Sequence, residues 1–232
     1  NLLICMELLE EKLNGTKLEE KLWASVYRQY RYLLLTQEKA LLANHYFENL
    51  KAIVISALLF EETDIYHKYF DLFLKEIEEE ILPDGLHFER SLMYHKIILE
   101  DILRVYKALR SVHRIGDAQK LIPAIRMMAS AMMYLEQGFE RTPLFNDAGN
   151  NVSKDKDALL RAVAGFCSDN LPVPMFGILS DSREIAAWKI SNALPDENGK
   201  QREAITEGFE ASGYFKMYYG EIALLFDCGE IG

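Results

Sequence analysis

The segment ANHYFENL, residues 43–50, begins with the amide and the imidazole of an adjacent Asn-His pair and continues into a long apolar run. A second segment, ERSLMYH at residues 89–95, repeats this arrangement with an adjacent Tyr-His pair. The apolar runs that follow predict helices. A purely structural helix start needs one short capping side chain and does not call for a ring beside it. The two segments therefore predict helix starts whose amide, phenol and imidazole groups suit proton chemistry on an anionic substrate.

Helical sequence extends on both sides of these segments. Residues 17–35 carry Leu18, Leu22, Val26 and Leu33 at mixed spacing, which is typical of an amphipathic helix. Further helices are predicted over 2–13, 44–60, 62–82, 89–111, 118–138 and 156–167. The connections are short, and short connections between helices favour antiparallel helical hairpins.

The character of the sequence changes at Glu207. Aromatic and β-branched residues fill 208–219 and 222–226, and Gly220-Glu221 separates the two runs, which predicts two strands joined by a tight hairpin. Because two strands are not stable on their own, we expect a β domain that continues beyond the end of this chain. The predicted organisation is a helical domain over 1–175, a linker over 176–205 and the start of a β domain over 206–232.

The composition is that of a folded protein with a sizeable core and an acidic surface. The chain has 232 residues, of which 50% are hydrophobic, and a formal net charge of −10. This charge argues against a nucleic-acid partner, and apolar runs such as 53–60 are too short for membrane insertion. An acidic polysaccharide would be repelled at long range. Its binding therefore requires a local group of Arg and Lys side chains acting within ~8 Å, the Debye length at physiological salt.

In this order, the two segments resemble the N-terminal helical domain of the heparinase II/III-like polysaccharide lyases. The end of the chain strengthens the resemblance, because SGYF at 212–215 and FDCGEIG at 226–232 are similar to the first strands of that family's β-sandwich. The resemblance covers nearly the whole chain. It implies a mainly α protein, an incomplete α/α toroid of helical hairpins followed by the first strands of a β-sandwich domain. It also implies a periplasmic or secreted location, although no signal peptide is visible in the sequence.

The family cleaves uronic-acid polymers by β-elimination, and the resemblance implies roles for residues of both segments. Asn44 matches the amide that neutralises the substrate carboxylate, and His45 matches the histidine next to it. Tyr94 matches the catalytic tyrosine. His95 matches the histidine beside that tyrosine, which acts either on the substrate or only as an orienting group. A further catalytic histidine of the family falls beyond Gly232, so we expect this chain alone to be inactive.

Further residues are candidates for substrate binding. Arg90 precedes Tyr94 by one helical turn and could hold a second acidic group of the substrate, or it could pair with Glu89 or Glu48. The other candidates are Arg31, Trp23 and Tyr27 on the helix predicted over 17–35, and Asn146 and Asp147 in a polar loop. Trp23 and Tyr27 share one helix face with Tyr30, and these three could instead form a core stripe. The loop could equally be a solvated turn.

No cofactor or metal site is predicted in this chain. His45, His87 and His95 are not at the i, i+4 spacing of a helical metal-binding pair. A metal of the β domain, if that domain holds one, would lie beyond Gly232.

Two other classes of function remain open. A glycoside hydrolase on a similar helical toroid would use two carboxylates, for which Asp84, Glu89 and Asp147 are candidates. A non-catalytic domain would only bind glycan. The Asn, His and Tyr groups favour elimination by a polysaccharide lyase, with an acidic polysaccharide as the partner. The sequence does not distinguish among heparan sulfate, alginate and an exopolysaccharide uronan, and it does not predict the oligomeric state.

Overall fold

A computed structural model describes residues 2–39, 44–149, 152–167, 205–219 and 222–229. The described helices are α1 (Leu2–Leu8), α2 (Glu10–Leu13), α3 (Lys17–Leu33), α4 (Asn44–Leu59), α5 (Thr63–Glu80), α6 (Leu92–Ser111), α7 (Ile115–Glu136) and α8 (Lys156–Cys167). The described strands are β1 (Ile205–Phe209), β2 (Tyr214–Tyr219) and β3 (Ile222–Asp227). The prediction of a mainly helical chain that leads into antiparallel strands is confirmed. Apart from the first residue of β1, the predicted linker lies outside the described residues. None of the described helices combines the length and apolar character needed to cross a bilayer.

Most helix ends lie within about two residues of the prediction, and α7 begins three residues earlier, at Ile115. Two further differences have a visible backbone cause. The segment 2–13 forms two short helices because the backbone at Leu9, with φ −106° and ψ 11°, departs from helical geometry. Helix α6 begins at Leu92 instead of residue 89, because Arg90 has a positive φ of 53° that no α-helix accepts. Tyr94 therefore lies in the first turn of α6, and Arg90 lies ahead of the helix instead of one turn earlier within it.

The described chain divides into two compact units. The first unit contains residues up to Glu79 together with Glu100–Pro123. Its core is apolar: Phe47 of α4 is fully buried, and its ring centroid lies 4.7 Å from that of Phe73 in α5. Helix α3 begins at an N-cap, where the Thr16 side chain accepts a hydrogen bond from the Glu19 amide.

A buried cluster of charged groups lies in this first unit. The Lys51 ammonium is 2.5 Å from a Glu48 carboxylate oxygen and 2.6 Å from Asp101 Oδ1. Asp101 is only 3% exposed. Burial raises the pKa of Asp101 to about 8, and the negative charge of Glu48 acts in the same direction against the opposing effect of Lys51. Burial disfavours the ionised form of Glu48 too, but Lys51, Asp101 and Arg104 together hold its pKa below the ordinary value.

The second unit contains Glu80–Leu99, the chain from Ala124 to the end of α8, and the sheet. The sheet has the order β1-β2-β3, and both pairings are antiparallel. Tyr219 pairs with Ile222, which confirms the predicted hairpin between β2 and β3. The prediction missed β1, whose sequence ITEGF includes a glycine and two polar residues and so lacks a strand pattern. Its pairing with β2 makes it a strand.

The two faces of the sheet differ in their surroundings. On one face, Tyr214 is fully buried in an apolar cluster with Leu86, Leu92 and Leu135. On the other face, five apolar side chains of β2 and β3 are 36–58% exposed: Phe215, Met217, Ile222, Leu224 and Phe226. Within the described part of the chain, the sheet therefore packs on the helices of its unit through one face only, and its second face is an uncovered apolar surface.

A buried lysine joins the sheet to the end of α7. Lys216 of β2 has no exposed surface, and its ammonium donates to the carbonyls of Tyr134, Leu135 and Gln137, the last two at 3.3 and 2.6 Å. These carbonyls belong to the last turn of α7 and its exit, where carbonyls lack intrahelical partners. A positive charge at this end is favoured by the helix dipole as well. Lys216 thus caps α7 from the neighbouring strand.

Candidate active site

The start of α6 is built around Ser91, which is fully buried. Its hydroxyl accepts from the Tyr94 amide at 3.4 Å and donates to the backbone carbonyl of Asp147 at 3.3 Å. A serine before a helix satisfies an amide that the helix cannot. The same hydroxyl ties the first turn of α6 to the loop that carries Asp147. Sequence reasoning did not single out Ser91, although a serine immediately before an apolar-periodic run is a recognisable N-cap signal.

Two residues beside this cap have the left-handed backbone conformation. Arg90 has φ 53° and Asn146 has φ 54°. The Arg90 carbonyl accepts from the Tyr214 hydroxyl at 2.6 Å and from Asn146 Nδ2 at 3.0 Å, and Asn146 Nδ2 also donates to Asp227 Oδ2 at 3.1 Å. For an arginine this conformation is uncommon and costs free energy, so it persists where the surroundings determine it. Here the hydrogen bonds from Tyr214 of β2 and Asn146 of the loop hold the Arg90 backbone in this conformation.

The Tyr94 phenol donates to Asp147 Oδ2 at 3.1 Å. Partial burial raises the pKa of Tyr94, and the hydrogen bond to Asp147 and the charges of Asp147 and Glu89 raise it further. Tyr94 is therefore a neutral phenol at physiological pH and can donate a proton. Of the predicted binding residues, Arg90, Asn146 and Asp147 lie in contact with this tyrosine or with each other.

His95 is buried away from solvent, with both ring nitrogens hydrogen-bonded. Its Nε2 is 2.9 Å from the carbonyl of Met128, which can only accept, and its Nδ1 receives the backbone N–H of His87 at 3.3 Å. These partners require the neutral tautomer with the proton on Nε2. Burial lowers the pKa of His95 to about 3. This geometry favours the orienting role over direct action on a substrate, because the ring fastens the first turn of α6 to α7.

His87, which the sequence left without a predicted role, pairs with a carboxylate. It is fully buried, and its Nε2 lies 3.0 Å from Glu80 Oε2. His87 also forms an isolated bridge with Ile81, the residue that follows Glu80. A side-chain pair formed across a turn is not visible as a sequence motif. Among the described residues, no group of three His, Cys, Asp or Glu side chains is arranged to hold a metal ion.

Asn44 and His45 belong to the first unit. Asn44 is the first residue of α4 and is half-buried, whereas His45 is exposed with its Nδ1 3.5 Å from Glu38 Oε2. The His45 carbonyl accepts from Asn49 Nδ2 at 2.7 Å, and the Glu38 amide donates to Asn49 Oδ1 at 3.2 Å. Asn49 thus fixes the backbone at the start of α4, next to Asn44, whose side-chain amide was predicted to neutralise the substrate carboxylate.

The aromatic stripe on α3 divides between core and surface. Tyr30 is buried, its hydroxyl donates to Glu62 at 2.9 Å, and burial raises its pKa strongly. Arg31, a predicted substrate-binding residue, lies 3.3 Å from the same Glu62 carboxylate. The positive charge of Arg31 is therefore already paired within the chain. Of the other two aromatic residues, Trp23 packs against the cluster of Met6, Leu13 and Val26. Tyr27 is 41% exposed, and its ring centroid lies 5.0 Å from that of Phe60. The core alternative therefore describes Tyr30 and Trp23, while Tyr27 is exposed.

The carboxylates of the hydrolase alternative are engaged in other contacts. Asp84 accepts from the Leu86 amide at 3.2 Å through one oxygen and from the Ser212 amide at 2.7 Å through the other. Glu89 lies 3.8 Å from the His87 ring, and Asp147 accepts the Tyr94 hydroxyl. Asp84 in particular holds two backbone amides, which is a structural task.

Comparison with known proteins agrees with this architecture. The family described as Heparinase II/III N-terminus matches residues 17–171. The chain therefore belongs to the heparinase II/III N-terminal family. No curated protein matches it by sequence.

Two solved structures share the fold. The crystal structure of heparinase III matches with a TM-score of 0.64 and 17% identity, over 99% of this chain and 36% of that one. The crystal structure of heparan sulfate lyase HepC from Pedobacter heparinus matches with a TM-score of 0.54 and 17% identity, over 88% of this chain and 30% of that one. The chain thus spans about a third of the length of either structure, and at this identity the likeness concerns the fold.

Proposed function

We propose that the parent protein is a polysaccharide lyase that cleaves an acidic, uronate-containing polysaccharide by β-elimination. Membership of the heparinase II/III family supports a lyase, and two structures with this fold are named heparinase III and heparan sulfate lyase. The observation that carries the proposal is the neutral Tyr94 phenol, held against Asp147 at a buried helix cap.

The reaction sets three tasks. A base removes the C5 proton of the uronate, and that electron pair forms the C4–C5 double bond while the bond from C4 to the glycosidic oxygen breaks. The departing oxygen then needs a proton. The substrate carboxylate must also be neutralised, because negative charge develops next to it in the transition state.

The residues of this chain suit two of these tasks and offer one candidate for the third. Tyr94 can give its phenolic proton to the departing oxygen, since its raised pKa keeps that proton in place until the oxygen needs it. By the family resemblance, the Asn44 amide neutralises the carboxylate. The base is His45, which is exposed and reachable, or the histidine expected in the remainder of the β domain. His95 positions Tyr94 through α6.

The test is a panel of acidic polysaccharides incubated with the parent protein. A lyase generates ultraviolet absorption from the new C4–C5 double bond. If every glycan that is cleaved yields only saturated reducing ends, the hydrolase alternative is correct. If glycans bind and none is cleaved, the domain is a glycan-binding module.

A further inference from the structure

A cavity lies beside the first turn of α6, within the same unit as Tyr94. Its volume is about 850 Å³, within the usual range of small-molecule sites. Met93, the neighbour of Tyr94 in the chain, lines it, together with Leu144 and Gly149 of the loop that carries Asp147. The Gly149 amide donates to the Met93 sulfur at 3.2 Å. The cavity and the Tyr94 phenol therefore share one helix turn and one loop.

The wall of this cavity contains a buried ion pair. Lys96 is 2% exposed and Glu136 is 4% exposed, and the Lys96 ammonium lies 2.8 Å from Glu136 Oε1 and also donates to the Thr142 hydroxyl. Taking both charges out of water is costly, and replacement of such a pair by apolar residues is often neutral or favourable for stability. Its place in a cavity wall is therefore better explained by recognition than by folding.

The charges around the cavity cancel. Among its described lining residues, four are basic and four are acidic, and they alternate along the chain, as in Glu140-Arg141 and Lys154-Asp155. An anion site needs an excess of positive charge, which is absent from this lining. In this lining, hydrogen-bond donors and acceptors lie next to each other along the chain. Such an arrangement suits hydroxyl groups, because each hydroxyl both donates and accepts. Phe139, Met93 and Leu144 add apolar surface for the face of a ring.

We infer that this cavity is a sugar subsite for an uncharged, hydroxyl-bearing ring of the substrate chain, adjoining the uronate that Tyr94 serves. The inference rests on the proposed function for its position in the substrate. The cavity's affinity for an uncharged sugar does not depend on any elimination chemistry.

The test measures binding of two probes to the 232-residue chain by titration calorimetry. N,N′-diacetylchitobiose is uncharged, and trigalacturonate carries only uronates. Leu144→Trp fills the mouth of the cavity from a position that is 47% exposed, so it leaves the fold intact. Leu35→Trp, at a position 85% exposed in the other unit, is the matched control. Thermal melting verifies that both variants are folded.

The expected result is that diacetylchitobiose binds and that Leu144→Trp weakens it about ten-fold, or about 1.4 kcal/mol. Leu35→Trp leaves its affinity unchanged, and Arg141→Ala, which removes an exposed donor, weakens it to a smaller extent. Leu144→Trp changes the affinity for trigalacturonate less than about two-fold.

Three outcomes overturn the inference. They are an absence of diacetylchitobiose binding at millimolar concentration, binding that Leu144→Trp does not change, and a loss of trigalacturonate binding in Leu144→Trp as large as that of diacetylchitobiose. The last result would show that the cavity holds the uronate. A failure of the proposed function gives a different result. In that case the parent protein forms no unsaturated product, while diacetylchitobiose still binds.

Discussion

At the scale of single residues, the proton on Tyr94 is the feature most directly open to test. In the parent protein, Tyr94→Phe removes only the hydroxyl and leaves the ring. We expect kcat to fall ~10²–10⁴-fold, the usual effect of losing a general acid–base group, while KM stays within about a few-fold. Steady-state kinetics on a cleavable polysaccharide provides both values. A variant with near-parental kcat would show that Tyr94 is a packing residue.

Asn44 is expected to respond differently. Its proposed partner is a carboxylate that is present in the bound substrate and gains charge in the transition state. Asn44→Ala in the parent protein should therefore raise KM and lower kcat together, whereas Tyr94→Phe acts on kcat alone. The same kinetic assay distinguishes them. A change in KM without loss of kcat would remove Asn44 from the chemistry.

Asp101 predicts a pH dependence of stability. Its pKa is raised from 3.8 to about 8 in the folded protein, so the folded chain holds a proton that the unfolded chain releases. Stability from this group is present at low pH and is lost as the pH rises towards 8. Glu48, whose pKa is lowered, stays ionised across this range. Asp101→Asn keeps the neutral form, so its Tm relative to the natural chain should increase between pH 5 and pH 8, by about 4 °C or more.

Thermal melting of both chains at several pH values measures this difference. A constant offset between the two chains would mean that Asp101 binds its proton equally in the folded and unfolded chains, which would contradict the raised pKa. The charged neighbours Lys51, Glu48 and Arg104 are unchanged in the variant, so they affect both curves alike.

At the scale of elements, Lys216 determines how firmly the sheet is attached to α7. Lys216→Met leaves the carbonyls of Tyr134, Leu135 and Gln137 without their donor in a buried place. We expect a loss of about 2–4 kcal/mol in the free energy of unfolding. Urea denaturation measures it. Lys21→Met, at an exposed position of α3, is the control, and an equal effect in both variants would contradict the capping role.

The uncovered face of the sheet predicts self-association of this chain. Leu224 and Phe226 are 49% and 43% exposed on β3, among five apolar side chains of one face. The double substitution Leu224→Ser and Phe226→Ser should shift the chain towards a monomer in size-exclusion chromatography with light scattering. Met127→Ser, a change of an apolar residue 38% exposed on α7, should have no such effect. A natural chain that is monomeric at high concentration would contradict the prediction.

The elements with strong periodicity were predictable, and those formed by pairing were not. The apolar spacing of α3 and the aromatic runs of β2 and β3 correspond to observed elements. Strand β1 has no pattern of its own and exists because β2 pairs with it. The start of α6 was misplaced because the positive φ of Arg90 depends on acceptor contacts with Tyr214 and Asn146, which are distant in sequence.

The candidate site shows the same division. Tyr94 and Asp147, both named from the sequence, are hydrogen-bonded to each other. The burial of His95 was not predictable, because it depends on a carbonyl of α7 and an amide of the preceding turn. Periodicity reports which side of a helix is apolar and does not report whether a polar ring on that side finds buried partners. The catalytic roles themselves remain predictions.

At the scale of the whole molecule, this chain spans 36% of heparinase III. We expect the 232-residue chain to show no elimination, whereas the parent protein, with its β domain extended, is active. Both are compared on the same polysaccharide panel by ultraviolet absorption. Turnover by the purified chain, at a rate too high for contamination by the parent, would show that the helical domain and three strands suffice.

The contacts of the sheet also determine when the site can form. The amide of Ser212 donates to Asp84, and the Tyr214 hydroxyl donates to the Arg90 carbonyl, across sequence separations of 128 and 124 residues. During synthesis, helices form from local contacts, while contacts of such separation must wait for the later segment and bear the entropy of closing a long loop. The turn before α6 therefore acquires its final conformation only after β2 has emerged from the ribosome. Tyr94 is made early and becomes properly placed late, so a nascent chain interrupted before residue 214 carries the tyrosine without its site.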